Sequence, residues 1–150
     1  MDSDVQRVGD LVQSTGFFSA DEIQIAVELV SERVSKGKAS GYFFIFAEKE
    51  NTMIGYSCYG PIPATQFSID LYWIAVDKSW QGKGIGRLLL EESEKTIAKS
   101  GGQRIYIETA GRPQYKPTRE FYLSCGYQEV AYLEHFYAPD DAKHIYLKCV

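Results

Sequence analysis

The stretch Leu71 to Lys99, LYWIAVDKSWQGKGIGRLLLEESEKTIAK, decides the architecture of this 150-residue chain. It opens on a strand-like apolar run, Leu71 to Val76, and passes through a polar turn, Asp77 to Trp80. Gly82, Gly84 and Gly86 follow at alternate positions, and an amphipathic helix then carries Ile85, Leu88 and Leu89 on one face, with Ile97 further along. Strand, glycine turn and helix start together make an anion site. The first helical N–H groups lack intrahelical partners and point outward, and glycine lets the backbone approach closely and takes positive φ cheaply. Spacing excludes the two common nucleotide loops. No G-x-x-x-x-G-K-[ST] run exists, and G-x-G-x-x-G would need glycine where Arg87 or Leu89 stands.

What fits is Gln81-Gly82-Lys83-Gly84-Ile85-Gly86, a Q-x-x-G-x-G turn soon after a strand ending in Val76. This resembles the acetyl-CoA-binding motif of the GNAT superfamily of N-acetyltransferases. The plainer alternative is a glycine-rich strand-to-helix connection without a ligand. The flanking strand and helix are the context the family motif requires.

The length suits one domain, residues 1–150, with a single substantial core. A net charge of −4 and a pI near 5.2 argue against a nucleic-acid or anionic-membrane surface. No apolar run is long enough for a membrane span, and the polar, acidic N-terminus does not read as a signal peptide. Cys58, Cys125 and Cys149 lack metal-ligand spacing, so the expectation is reduced thiols, no metal and a cytoplasmic location.

Val5, Val8, Leu11 and Val12 set a short helical pattern ending near Gly16. Ser19-Ala20-Asp21-Glu22 reads as a capping box, with Phe18 and Ile23 placed as a hydrophobic staple, for a helix running to Gly37. Tyr42 to Ala47 reads as a strand buried on both faces, and Met53 to Tyr59 as its hairpin partner across the turn Lys49–Thr52. Phe67 to Val76 is the third strand, and on the helix that follows Glu91 and Lys95 are spaced for an ion pair. Arg104 to Thr109 is a strand. Pro117 opens a helix to Cys125 with Gly126 past its end, and Tyr127–Leu133 and His144–Lys148 are strands joined by the polar turn Pro139–Lys143.

This order is similar to that of the GNAT acetyltransferases over nearly the whole chain. It implies an α/β fold with a mixed, mostly antiparallel central sheet flanked by helices, binding acyl-CoA. The family usually opens with a strand before its first helix, and Met1 to Asp4 is too short for one. Either the sheet lacks that first strand or the sequence is trimmed at its front.

The resemblance implies acetyl-CoA as co-substrate, its diphosphate held by backbone N–H groups of Gln81, Gly82, Lys83, Gly84, Ile85, Gly86 and Arg87. It places the pantetheine arm along Ile74, Ala75 and Val76, with the Val76 N–H polarising the thioester carbonyl. Phe121-Tyr122-Leu123-Ser124-Cys125-Gly126-Tyr127 resembles the family's F-Y-x-x-x-G-F/Y segment, which makes Tyr122 the candidate acid. A phenol, with a reference pKa of ~10, stays protonated at neutral pH and can donate to a thiolate. A packed helix tyrosine is the alternative. Asp70 matches the position where histone-acetylating members carry a glutamate base, but it is one methylene shorter, which favours a water relay. Glu108 on the next strand is its rival, and either could be an ordinary solvated carboxylate. Many members carry asparagine where this chain has Tyr115, so Tyr115 and Arg119 are candidates for CoA binding or for helix capping. An acetyl-cysteine route through Cys58 or Cys125 lacks a local nucleophile signature.

Family geometry lines the acceptor pocket with Phe17, Phe18, Tyr59, Tyr72 and His135-Phe136-Tyr137. Aromatics and carboxylates suit a small primary amine such as an amino acid. A protein terminus or lysine, and a non-catalytic acyl-CoA-binding role, are the alternatives, and a homodimer is left open.

Overall fold

A computed structural model describes residues 1–150. Helices α1 (Asp2–Ser14) and α2 (Ala20–Lys36) lead into strands β1 (Phe43–Lys49), β2 (Thr52–Pro61) and β3 (Ser68–Val76). Then come α3 (Ile85–Lys99), β4 (Arg104–Ala110), α4 (Lys116–Ser124), β5 (Gln128–Ala138) and β6 (Asp141–Cys149). The six strands form one sheet in the order β1-β2-β3-β4-β6-β5. All neighbours are antiparallel except β3 and β4, which α3 joins by a crossover.

The predicted capping box of α2 forms. The Glu22 N–H donates to Ser19 Oγ at 3.2 Å, and the Ser19 N–H donates to Glu22 Oε1 at 3.1 Å. Gly37, at φ 60°, caps the other end. On one side of the sheet α3 and α4 cover a core of Tyr59, Ile69, Leu71, Leu90, Ile105 and Tyr122. On the other side α1 and α2 cover Val8, Val12, Val30, Tyr56, Cys58 and Ala75. Helix α3 comes very close to β2: a Cβ on Gly55 would stand 2.9 Å from Leu89 Cδ1 and 3.0 Å from the Ala75 carbonyl oxygen. Buried Ser57 and Ser93 hydrogen-bond across that contact at 2.8 Å, so the one polar pair in the seam is satisfied.

Three sequence expectations are corrected. β1 does pack on both faces, Phe43 and Ile45 on one core and Phe44 and Phe46 on the other, but as an edge strand it is only half-buried. Glu91 pairs with Arg87 at 3.5 Å, one turn earlier, while Lys95 takes Glu92 at 2.8 Å. The last hairpin is longer than its apolar pattern, because β5 and β6 extend through polar residues to a tight turn at Pro139–Asp140. Near that turn Glu134 to Tyr137 are opposed only by Ala142, and His135 takes φ 56° to absorb the excess.

Candidate active site

The site begins where two strands part. β3 and β4 are in register from Ser68–Arg104 to Asp70–Tyr106 and no further, although β3 runs on to Val76 and β4 to Ala110. At the same level β3 carries a bulge: Cys58 faces Trp73 and Tyr59 faces Leu71, leaving Tyr72 as the extra residue. The bulge turns the strand over. Ile69 and Leu71 point into the α3/α4 core, whereas Trp73 and Ala75 pack towards α1 and α2.

Backbone groups beyond the bulge fall into two sets. The Asp77 N–H donates to the Ile54 carbonyl at 2.8 Å, so the alternation of an antiparallel ladder makes Tyr56–Ala75 the next bonded pair. Ile74 and Val76 therefore direct their N–H and C=O groups away from β2, into the split, while those of Ala75 are taken by the sheet. Gln81 Nε2 donates to the Val76 carbonyl at 3.1 Å, leaving the Val76 N–H as the free donor there.

The glycine turn follows. Gly82 and Gly84 take φ 75° and 84°, and a Cβ on either would meet nothing within 4 Å. Their constraint is thus the left-handed backbone, and the space in front of them is open. Gly84 is the N-cap of α3, and the Leu88 N–H to Gly84 carbonyl bond at 3.0 Å begins the ladder. The N–H groups of Ile85, Gly86 and Arg87 consequently lack intrahelical acceptors. Gly86 sits against α4, its Cβ position 3.5 Å from the Phe121 ring. Lys83 and Lys49 place their ammonium groups 4.8 and 4.9 Å from the Trp80 ring centre, adding positive charge beside the turn. Arg87 caps the Ser124 carbonyl at 3.2 Å, tying this turn to the end of α4.

Tyr122 lies on the α3/α4 side, 5% exposed, its ring packed against Phe121, Tyr127 and Tyr146. Burial raises its hydroxyl pKa well above the ordinary phenol value, with the neighbouring Cys125 adding to the shift. It is a neutral donor at any physiological pH. Tyr115 and Arg119 are occupied elsewhere. The Tyr115 hydroxyl donates to Glu22 Oε2 at 2.8 Å, and Arg119 donates to the carbonyls of Ala110 at 2.9 Å and Arg112 at 3.3 Å. Both fasten the loop between β4 and α4, one to α2 and the other to the strand end.

Across the sheet, Asp70, Tyr106 and Glu108 alternate with the core residues Ile69, Ile105 and Ile107 and so face the opposite side from Tyr122. There they line a pocket of about 440 Å³ whose apolar wall is Ile62, Val130, Ala131 and Ile145. Burial raises the Asp70 carboxyl pKa, the charge of Glu108 adds to this, and Lys143 opposes it. Glu108 is bonded by Lys143 at 3.0 Å, and the Lys143 ammonium also stands 4.2 Å over the Phe136 ring. Tyr72 is pushed up to about 12 by burial and by the nearby Asp70 charge. Of the expected acceptor lining, Phe17 and Phe18 are packed on Tyr115 and Trp73, and Tyr59 is buried on the far face against Phe43. Tyr72, Phe136 and Tyr137 remain exposed on the pocket side. Cys58 is fully buried under α1 and α2, where burial pushes its thiol pKa up, so it is no nucleophile.

The model of the acetyltransferase (GNAT) family matches residues 13–127, which take in the strand split, the glycine turn and Tyr122. The chain belongs to the GNAT family of acetyltransferases. A solved GNAT-family protein from Desulfovibrio desulfuricans is 44% identical with a TM-score of 0.98, covering 99% of this chain and 94% of its own. The PaiA N-acetyltransferase of Thermoplasma acidophilum, solved in complex with coenzyme A, has the same fold at 20% identity and a TM-score of 0.75, over 99% of this chain and 94% of its own. N-alpha-acetyltransferase RimI of Mycobacterium tuberculosis is 30% identical over 95 residues, 63% of this chain. The match spans 57% of that relative's length.

Within this GNAT sheet, sequence reasoning missed the bulge at Tyr72, the Lys143–Glu108 pair and Tyr106. The alternation Arg104-x-Tyr106-x-Glu108 carried a signal for the last, since polar side chains at every second position mark a second face. Lys143 had none, because its pairing with Ala110 register depends on a strand reached across the whole of α4 and β5.

Proposed function

We propose that this GNAT protein transfers the acetyl group of acetyl-CoA directly to a primary amine of a small molecule, within a ternary complex. The observation that carries this reading is the split itself. Free backbone donors and a helix start stand at its open end, a buried neutral phenol on one side and a carboxylate without a partner on the other. The residues fit acetyl-CoA: positive-φ glycines with open space in front of them and three donors at a helix start suit a diphosphate. Ile74 and Val76 offer a strand edge for an amide-bearing arm.

Acetyl-CoA supplies the acetyl group as a thioester. The Val76 N–H is placed to donate to the carbonyl oxygen as negative charge gathers there. Asp70, directly or through water, takes one proton from the acceptor ammonium, which at a pKa of ~10 is otherwise almost wholly charged at neutral pH. The freed lone pair forms the C–N bond as the C–S bond breaks. Tyr122 gives its proton to the leaving thiolate and recovers one from the amide nitrogen, so the net products are amide, thiol and the proton held by Asp70. Glu108 orients rather than abstracts, because its carboxylate is already engaged by Lys143 at 3.0 Å.

A second reading, acetylation of a protein N-terminus, is favoured by the identity to N-alpha-acetyltransferase RimI. Thiol release from acetyl-CoA over a panel of small amines and short peptides separates the two. Release with small amines supports the first reading, release with peptides alone supports the second, and binding of CoA without release points to a domain that holds acyl-CoA only.

A further inference from the structure

The pocket beneath the split carries a charge pattern that narrows the acceptor, given the acetyltransfer reading above. Its wall holds two carboxylates, Asp70 and Glu108, and no cation. Glu108 is neutralised by Lys143, whose side chain is only 14% exposed. Three nearby acids are likewise engaged. Asp141 takes Arg112 at 3.2 Å and the Gly111 N–H at 3.2 Å, Glu129 bonds His144, and Glu22 accepts from Tyr115. Asp70 has neither a hydrogen bond nor an ion pair, and it shares the pocket wall with the apolar side chains of Ile62, Val130, Ala131 and Ile145.

We infer that the acceptor site takes an amine with a single ammonium group on an apolar body, Asp70 receiving the ammonium while Glu108, already paired with Lys143, is unavailable to a second positive charge. A polycation would bring its further ammonium groups among apolar side chains and a Glu108 that Lys143 already neutralises, where an unpaired charge in a partly dry site is strongly disfavoured. A free amino acid fares poorly for the opposite reason. Its carboxylate lies beside the ammonium, hence beside Asp70, and no unpaired cation lines the pocket to receive it. The expectation of an amino-acid acceptor thus narrows to an amine whose carboxylate is absent or masked.

Three probes of one chain length isolate the charge: n-hexylamine, hexane-1,6-diamine and 6-aminohexanoate. Thiol release measures kcat/KM for each. The wild-type protein should prefer n-hexylamine over the diamine by about tenfold or more per amino group, the order expected for one unfavourable unit charge at intermediate dielectric. Lys143→Met leaves Glu108 uncompensated, and the diamine should then draw level with n-hexylamine or overtake it. Glu108→Gln reads the same pair from its other side: the unmatched Lys143 should raise 6-aminohexanoate relative to n-hexylamine by a comparable factor. Equal or better use of the diamine by the wild type overturns the inference while leaving acetyl transfer standing. Ratios unmoved by both substitutions also overturn it, since the pair would then not face the acceptor. Binding of CoA without thiol release to any amine overturns the acetyltransfer reading and this specificity with it.

Discussion

The two sides of the strand split are made of different material. On the α3 side the groups that face the open space are mostly backbone: the N–H of Val76, the N–H groups at the start of α3, and the two left-handed glycines. On the other side they are side chains, Asp70, Tyr106 and Glu108, brought together by strand register and tuned by Lys143 from a strand more than thirty residues further on. Backbone donors at a helix start serve any chain that adopts the turn, so the first side is fixed by local conformation. Side chains at strand positions can be exchanged without altering the sheet, so on the proposed reading the second side is where substrate choice is set. Changes on the first side should therefore abolish binding or chemistry, whereas changes on the second should redistribute rates among acceptors and pH values.

The largest expected effect is on the α3/α4 side. Tyr122→Phe keeps the ring against Tyr127 and Tyr146 and deletes the proposed proton donor. Turnover should fall ~10- to 1,000-fold, in the range for a lost general acid, with acetyl-CoA affinity held. Steady-state kinetics beside calorimetry checks this, and wild-type turnover assigns Tyr122 to packing.

Asp70→Asn comes next. Its rate should drop by roughly tenfold or more at neutral pH and partly recover at high pH, where the amine loses its own proton. The same change should affect stability in the opposite sense. A carboxyl whose folded-state pKa is raised by burial costs stability once it ionises, so the penalty is absent below its unfolded pKa and grows as pH rises through the folded value. Thermal melts should show Asp70→Asn more stable than wild type at neutral pH and equal to it at about pH 3, below the reference carboxylate pKa. Glu108→Gln, in contrast, should give a smaller loss of rate with no recovery at high pH. An unchanged pH profile for Asp70→Asn beside a lost acidic limb for Glu108→Gln would exchange their roles.

Much of the first side was legible in the sequence because its code is local. Gly82, Gly84 and the strand before them are contiguous, and no distant contact is needed to know that they make a turn facing a helix start. The second side was legible only in part. Asp70 and Glu108 could be named as rivals, but what distinguishes them is Lys143, which pattern reading placed in a loop because polar residues extend β6 beyond its apolar stretch. Tyr115 and Arg119 illustrate the converse. Their positions next to the family segment suggested a ligand, while the hydroxyl is bonded to Glu22, 93 residues away in sequence, and the guanidinium to two carbonyls.

That assignment carries the smallest expected effect. Tyr115→Phe removes one hydrogen bond to a charged partner and should cost about 1 kcal/mol of stability or slightly more, read by urea denaturation. CoA affinity should not change. Weaker CoA binding in this variant would return Tyr115 to the cofactor side.

The claim on which the rest depends is that the glycine turn holds acetyl-CoA through its backbone, and calorimetric titration of CoA into wild type and Gly84→Val tests it most directly. Valine at φ 84° is strained and its branches occupy the open space before the α3 N–H groups. Melting curves establish that the variant is folded, with Gly84→Ala as the milder substitute where it is not. The expected result is CoA binding by the wild type and at least ~10-fold weaker binding by the folded variant, a loss of the size given by one or two charge-assisted hydrogen bonds. Equal affinity in the two folded proteins would contradict the account.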